Sequence, residues 1–268
     1  MNPTLAAFLQ HFRWDLALFT YLAAKVAMFS VSRAALLVPT FRAVAEANRA
    51  DFMRKLQKPK YGEVMKRIGG WSKVATVVLW GVILPFTMTL APSPWWTIPR
   101  DVFVILMFYD FFYYLGHRFL FHDEGFFGGP LLWVHAVHHR QHVPNRMDGA
   151  YLNPIELFFG TGLYGLSVLA IALLLGPVHP ATVVITFVAF QQINLHNHDL
   201  WTADRFPFRY LNTMAVMHHN HHRVFTGGNF ATISLFYDWL FGTLDHGQGG
   251  KEGRVGLFRR PKQTAAAE

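Results

Sequence analysis

Five stretches of the chain are rich in Leu, Val, Ala and Phe and nearly free of charge: residues 16–38, 74–90, 102–121, 157–175 and 181–195. Crossing about 30 Å of hydrocarbon takes about 20 apolar residues in a helix, so each stretch reads as a full or nearly full span. The first is flawed by Lys25 and Arg33, and the fifth is short. GPVHP at 176–180 is a turn signal that joins the last two into a helical hairpin. Residues 41–73 carry nine Lys and Arg and read either as an interfacial amphipathic helix or as a solvated connection. No basic segment precedes the first apolar run, so a cleavable leader is not expected. The tail from Lys262 is expected to fray. The pattern predicts an all-α, integral-membrane bundle of four to five spans.

Composition sharpens this picture. Hydrophobic residues make up 52% of the 268 positions and charged ones 15%, against about 25% charged in soluble domains. Disorder is thereby excluded. With no cysteine, a disulfide framework, a zinc ribbon and a thiol nucleophile are excluded too. The net charge of +8 accompanies an apolar chain rather than a polar domain with a basic stripe, so a membrane is the expected partner and nucleic acid is not. Five alternating spans would put twenty Lys and Arg on one face and only Arg13 and Arg100 on the other. The positive-inside rule makes the first face cytoplasmic. The same division places thirteen of the fifteen histidines on that face, all but His11 and His179.

Those histidines are clustered. HRFLFH holds His117 and His122 at the end of the third span. A spacing of five turns about 140° on a regular helix, so the two can face one point only if the helix ends or distorts there. HAVHH holds His135, His138 and His139, HHNHH holds His218, His219, His221 and His222, and LHNHDL holds His196 and His198. Spacings of three and four bring each H-x-x-H-H set near one helical face. Asp110 lies two turns before His117, where a carboxylate can hold a ligand imidazole by its other ring nitrogen. Neutral imidazole is the commonest side-chain metal ligand. Eight or more exceed the needs of one four-coordinate ion, so two metals fit the count. Iron, zinc and copper all suit the ligand type, and redox chemistry would select iron. His11, His142, His179, His219 and His246 read as ordinary surface or hydrogen-bonded residues.

The order H-x(3–4)-H, H-x-x-H-H, an intermediate histidine and H-x-x-H-H resembles the fatty acid hydroxylase/sterol desaturase superfamily of integral-membrane, histidine-rich di-iron oxygenases. DFFYYLGHR, WVHAVHH and the closing NFATISLFYDWLFGTL match its flanking features. The resemblance covers residues 101–244; the first hundred rest on hydropathy alone. Family members often carry a histidine before Pro after the first H-x-x-H-H; Asn153 stands there in this chain, so that position is not counted as a ligand. Three segments result: 1–100 with the N-terminal membrane helices and basic linker, 101–246 as the hydroxylase-like catalytic domain with a cytoplasmic helical cap, and 247–268 as a basic tail.

The resemblance implies activation of O2 at two irons and hydroxylation of an unactivated lipid C–H bond, on a fatty acyl chain or a sterol-like substrate. Desaturation by the same site is the alternative, disfavoured because the H-x(4)-H variant resembles hydroxylases more. Implied ligands are His117, His122, His135, His138, His139, His196 or His198, His218, His221 and His222, with His198 slightly favoured by spacing. Asp110, Asp199 and Asp238 are candidates to support them, although Asp238 can equally cap or pair locally. Zinc can stand in for iron in purified protein of this type. The aromatics of MFYDFFYYLG either line an apolar channel or pack the helices. With no haem or flavin domain visible, electrons are expected from a separate carrier, cytochrome b5-like or ferredoxin-like, on the cytoplasmic face. A metal transporter would need ionisable groups at mid-membrane on several spans; a purely structural zinc protein would hold metal without consuming O2.

Overall fold

The structure is a computed structural model and describes residues 11–125, 127–247 and 250–259. The N-terminal ten residues and the tail from Lys262 lie outside them. Nine α-helices are described: α1 Trp14–Ala35, α2 Pro39–Leu56, α3 Pro59–Val78, α4 Thr97–Gly116, α5 Leu132–His135, α6 Pro154–Leu175, α7 Pro180–Asn197, α8 Phe208–Arg223 and α9 Phe236–Leu240. A two-stranded antiparallel ribbon, β1 Leu244–Asp245 with β2 Arg254–Val255, is the only sheet among these residues.

Two compact units share the chain. Among the described residues, the first comprises 11–42, 65–109 and 154–192. Its core is aromatic: Tyr164 stacks on Phe190 at 4.9 Å, and Tyr109 meets Phe190 edge-on at 5.1 Å. The Tyr164 hydroxyl lies 2.9 Å from Thr186 Oγ1, joining α6 to α7. These helices form the expected hairpin, with Gly176 at φ +95° in its turn. Side chains such as Phe19, Val26, Val77, Leu173 and Leu174 face outward, as lipid-facing positions should.

Trp14–Ala35, Pro59–Phe86 and Pro154–Leu175 are long and apolar enough to cross a membrane. The count of four to five spans is not met on that measure. The third and fifth stretches do form helices, but α4 carries Arg100, Asp101 and Asp110, and α7 ends in Gln191, Gln192, Asn194 and His196. The second span begins earlier than expected, because α3 continues unbroken from the basic linker.

Among the described residues, the second unit comprises 43–64, 110–125, 127–153, 193–247 and 250–259 and holds every clustered histidine. Part of the linker is built into it rather than solvated. Lys55 of α2 is buried and pairs with Asp148 and Asp51, and Tyr61 donates to Asp148 at 2.7 Å. Asn48 accepts from the Arg146 and Leu200 amides and donates to Asp199 at 3.1 Å. One side chain thereby stitches together the two segments that follow the second and third histidine clusters. Asn145 and Asp148 cap the short turn Arg146–Ala150 reciprocally, which fixes the position of Tyr151.

Candidate metal centre

The helix α4 does distort where His117 requires it. Residues His117–Phe121 form a π-turn, closed by the His122 amide donating to the His117 carbonyl at 3.1 Å. Such an i→i+5 turn brings residues five apart back to one side, and the two rings lie 5.0 Å apart. The chain then doubles back through Gly129 at φ +59°, where a Cβ would stand 3.0 Å from the His122 carbonyl group. This delivers α5 and the second cluster against the first.

Nine imidazoles converge into two groups. His117, His122, His135, His139 and His221 form one; His138, His198, His218 and His222 form the other. Within each, one nitrogen per ring lies within 4.8 Å of all its partners. All nine side chains are buried, none more than 9% exposed. Each H-x-x-H-H motif is divided between the groups. His135 with His139, and His218 with His222, stay together at the i, i+4 spacing, with Nε2 atoms 3.0 and 3.2 Å apart. The residue between them, His138 or His221, goes to the other group. Neighbouring helical residues diverge by about 100°, so the three do not share one narrow face.

Backbone carbonyls fix the ring tautomers. Nδ1–H donates to a carbonyl from His117 (Phe230, 2.7 Å), His122 (Phe225, 3.0 Å), His221 (Gly228, 2.8 Å), His138 (Tyr151, 3.3 Å) and His198 (Asn194, 2.8 Å). A carbonyl only accepts, so each of these rings carries its proton on Nδ1 and presents a bare Nε2. His138 Nε2 and His198 Nε2 nevertheless face each other at 3.0 Å. Two lone pairs at that distance need an extra proton or a cation between them. Burial opposes the proton: it pushes His138 down to about 4, and His198 well below the ordinary imidazole value. In the other group, His122 Nε2 is buried with no hydrogen-bond partner among the described residues. Two nitrogens about 2.1 Å from one ion and at right angles to each other lie about 3 Å apart, close to the 2.8–3.2 Å seen between adjacent Nε2 atoms. The donor sets therefore fit one metal ion each. All-nitrogen shells suit iron, zinc or copper.

His196, the tenth candidate, stands outside both groups. Its ring takes the Leu211 carbonyl at 2.9 Å and the Asp199 carboxylate at 3.2 Å. Among the carboxylates, Asp110 departs from expectation, for it touches no imidazole. It accepts from the Thr232, Ile233 and Ser234 amides and from the Ser234 hydroxyl, because α4 brings it under that turn. Asp199 holds His196, Asn48 and Arg146. Asp238 accepts from the Phe230 and Ala231 amides and the Thr243 hydroxyl, one peptide away from His117, and its burial pushes the carboxyl up to about 7. His142 and His246 are exposed, as read from the sequence. The orienting carbonyls of Tyr151, Asn194, Phe225, Gly228 and Phe230 carry no side-chain signal, and sequence reasoning missed them. The aromatics of MFYDFFYYLG divide: Phe111 and Tyr114 pack on Tyr237 and Phe241, while the Tyr113 ring meets His117 at 5.4 Å.

The fatty acid hydroxylase family profile matches residues 102–243, more than half of the chain. Very-long-chain aldehyde decarbonylase GL1-8 of Oryza sativa subsp. indica is 32% identical over 159 residues, covering 57% of this chain and 55% of the rice protein. Methylsterol monooxygenase 2-2 of Arabidopsis thaliana is 28% identical over 164 residues, covering 57% and 55%. Methylsterol monooxygenase 1 of Rattus norvegicus is 27% identical over 164 residues, covering 57% and 51%. The chain thus spans about half the length of the curated relatives it matches. No solved structure matches it significantly. All nine converging histidines, and the turn that orients three of them, lie within the matched block, and the chain belongs to the fatty acid hydroxylase family.

Proposed function

We propose that this chain is a membrane-bound, non-haem di-iron oxygenase that hydroxylates a lipid C–H bond with O2. The observation that carries the reading is the pair of lone-pair-lined imidazole groups, five and four rings, packed into one buried unit. Methylsterol monooxygenases and aldehyde decarbonylases among its relatives support an apolar, lipid-like substrate.

Two bound irons would supply the oxygen reduction and hydrogen abstraction that no side chain can perform. The residues of the chain do the rest. His117, His122, His135, His139 and His221 would hold one ion, and His138, His198, His218 and His222 the other. The five carbonyls keep Nε2 unprotonated and aimed inward. Burial excludes bulk water, which protects the oxidising step from side reactions. In the net reaction one oxygen atom enters the C–H bond and the other leaves as water. Two electrons and two protons are needed, supplied by a separate carrier.

The clusters before α6 and after α7 meet in one site, so the crossings between them must be even in number. That supports α6 and α7 entering the membrane as a pair. With the excess of Lys and Arg on the site's side of the sequence, it favours a cytoplasmic metal centre.

The test is reconstitution of the full chain with iron, a reductant and a lipid extract, followed by lipid mass spectrometry. A product heavier by one oxygen atom is expected; loss of two hydrogens would mean desaturation instead. His138→Ala and His221→Ala, one from each group, should each abolish turnover while the protein still inserts. Iron-loaded protein that leaves the lipids unchanged would overturn the proposal in favour of a structural metal site.

A further inference from the structure

Residues 225–230 form an irregular loop after α8, yet three of its carbonyls orient three rings of the five-histidine group. The Phe225 carbonyl accepts from His122 Nδ1–H, that of Gly228 from His221, and that of Phe230 from His117. The far end of the loop is held by the Asn229 amide on the Thr243 carbonyl at 3.0 Å, by the Asn229 side chain on the Met217 and Asp245 carbonyls, and by the Phe230 amide on Asp238; its near end is held differently. Two of the loop's three remaining carbonyls, Thr226 and Gly227, accept from a single atom, Arg254 Nη2, at 2.7 and 2.9 Å. Arg254 belongs to β2, beyond the block matched by the family profile and within the stretch expected to be a basic tail. It is 1% exposed. Its guanidinium forks onto Glu124, Nη1 to Oε2 at 2.9 Å and Nη2 to Oε1 at 3.1 Å, and lies over the Phe230 ring at 5.4 Å. Glu124 is itself buried, two residues after His122. A planar fork can serve two carboxylate oxygens and two carbonyls at once, which a lysine cannot.

None of these contacts reaches the four-histidine group. There, His138 and His198 rely on Tyr151 and Asn194. Resting on the metal-centre reading above, we propose that Arg254, clamped by Glu124, is a positioning residue. It locks the near end of the 225–230 loop, whose far end Asn229 and Asp238 hold, and so aims His117, His122 and His221 at one metal site and not the other.

The experiment is a titration of metal-depleted full-length protein in detergent with Co2+ alone, against a competing chelator, read by the visible absorption of each bound ion. Wild-type protein should show two sites. In Arg254→Lys, which keeps the charge but not the fork, one site should weaken about tenfold to a hundredfold, as loss of groups that orient ligands typically does. The weakened site should be the one removed by His221→Ala and retained in His198→Ala. The other site should keep its affinity and spectrum. Arg254→Gln should weaken the same site further; if that variant fails to accumulate, the lysine variant carries the test. Equal weakening of both sites, the signature of general destabilisation, overturns the proposal, and so does no change at either. Wild-type protein that takes up no cobalt would overturn the metal-centre reading and this inference with it. Two intact sites in both the wild type and Arg254→Lys overturn this inference alone.

Discussion

The two histidines of LHNHDL provide a sharp test, because sequence treats them alike and the structure does not. His198 Nε2 lies 3.0 Å from both His138 Nε2 and His218 Nε2, whereas His196 spends its ring on the Leu211 carbonyl and Asp199. Four-ligand structural zinc sites bind with about 10–16 kcal/mol, so one ligand of four carries about 2.5–4 kcal/mol. His198→Ala should therefore weaken its ion by a factor on the order of a hundred to a thousand. His196→Ala removes two hydrogen bonds and should cost about 1–3 kcal/mol of stability, with metal content unchanged. The assay is elemental analysis of each purified variant after dialysis against a graded chelator series, beside its thermal unfolding midpoint. The wild type should retain two ions per chain, His198→Ala one and His196→Ala two. Retention of both ions by His198→Ala, or loss of one by His196→Ala, would refute the assignment of tautomers and donors.

Two further outcomes follow from the same geometry. Asp110→Asn keeps an acceptor for the Thr232 and Ile233 amides but turns an amide nitrogen toward the Ser234 amide; it should destabilise the fold by about 2–4 kcal/mol, read as a lowered unfolding midpoint. In metal-free protein, burial lowers His138 to about 4 and His221 to about 3, against about 6.5 in the unfolded chain. The unfolded state then binds more protons between pH 6.5 and 4, so stability falls as the pH falls through that window; an unfolding midpoint that is higher at pH 5 than at pH 7 would contradict it.

The helical, apolar character of the chain was legible because hydropathy registers length and charge, and both are local. The converging histidines were legible because imidazoles at spacings of three and four are rarely packing residues. What local pattern could not supply was the partition. His138 and His139 are adjacent in sequence but belong to different groups, since in the 3-10 turn His138–Arg140 a single residue step swings the side chain by about 120°. Nor could it reveal Asp110's role: a carboxylate two turns from His117 could have met an imidazole, but the 232–234 turn, more than a hundred residues away, lies there first. The burial of Lys55 was equally hidden, because its partner Asp148 is 93 positions distant. The count of four to five spans is not confirmed, because α4 and α7 mix apolar runs with Arg100, Asp101 and a glutamine-rich end. Such segments satisfy a hydropathy reading only in part.

Because each H-x-x-H-H motif contributes to both imidazole groups, the centre is not modular. A deletion, or a graft from another protein, that replaces one motif cannot exchange one ion's surroundings and spare the other's. Single-ion versions must instead be made residue by residue, by choosing His221 apart from His218 and His222. A lineage that had lost one motif would have lost both halves of the centre in the same event.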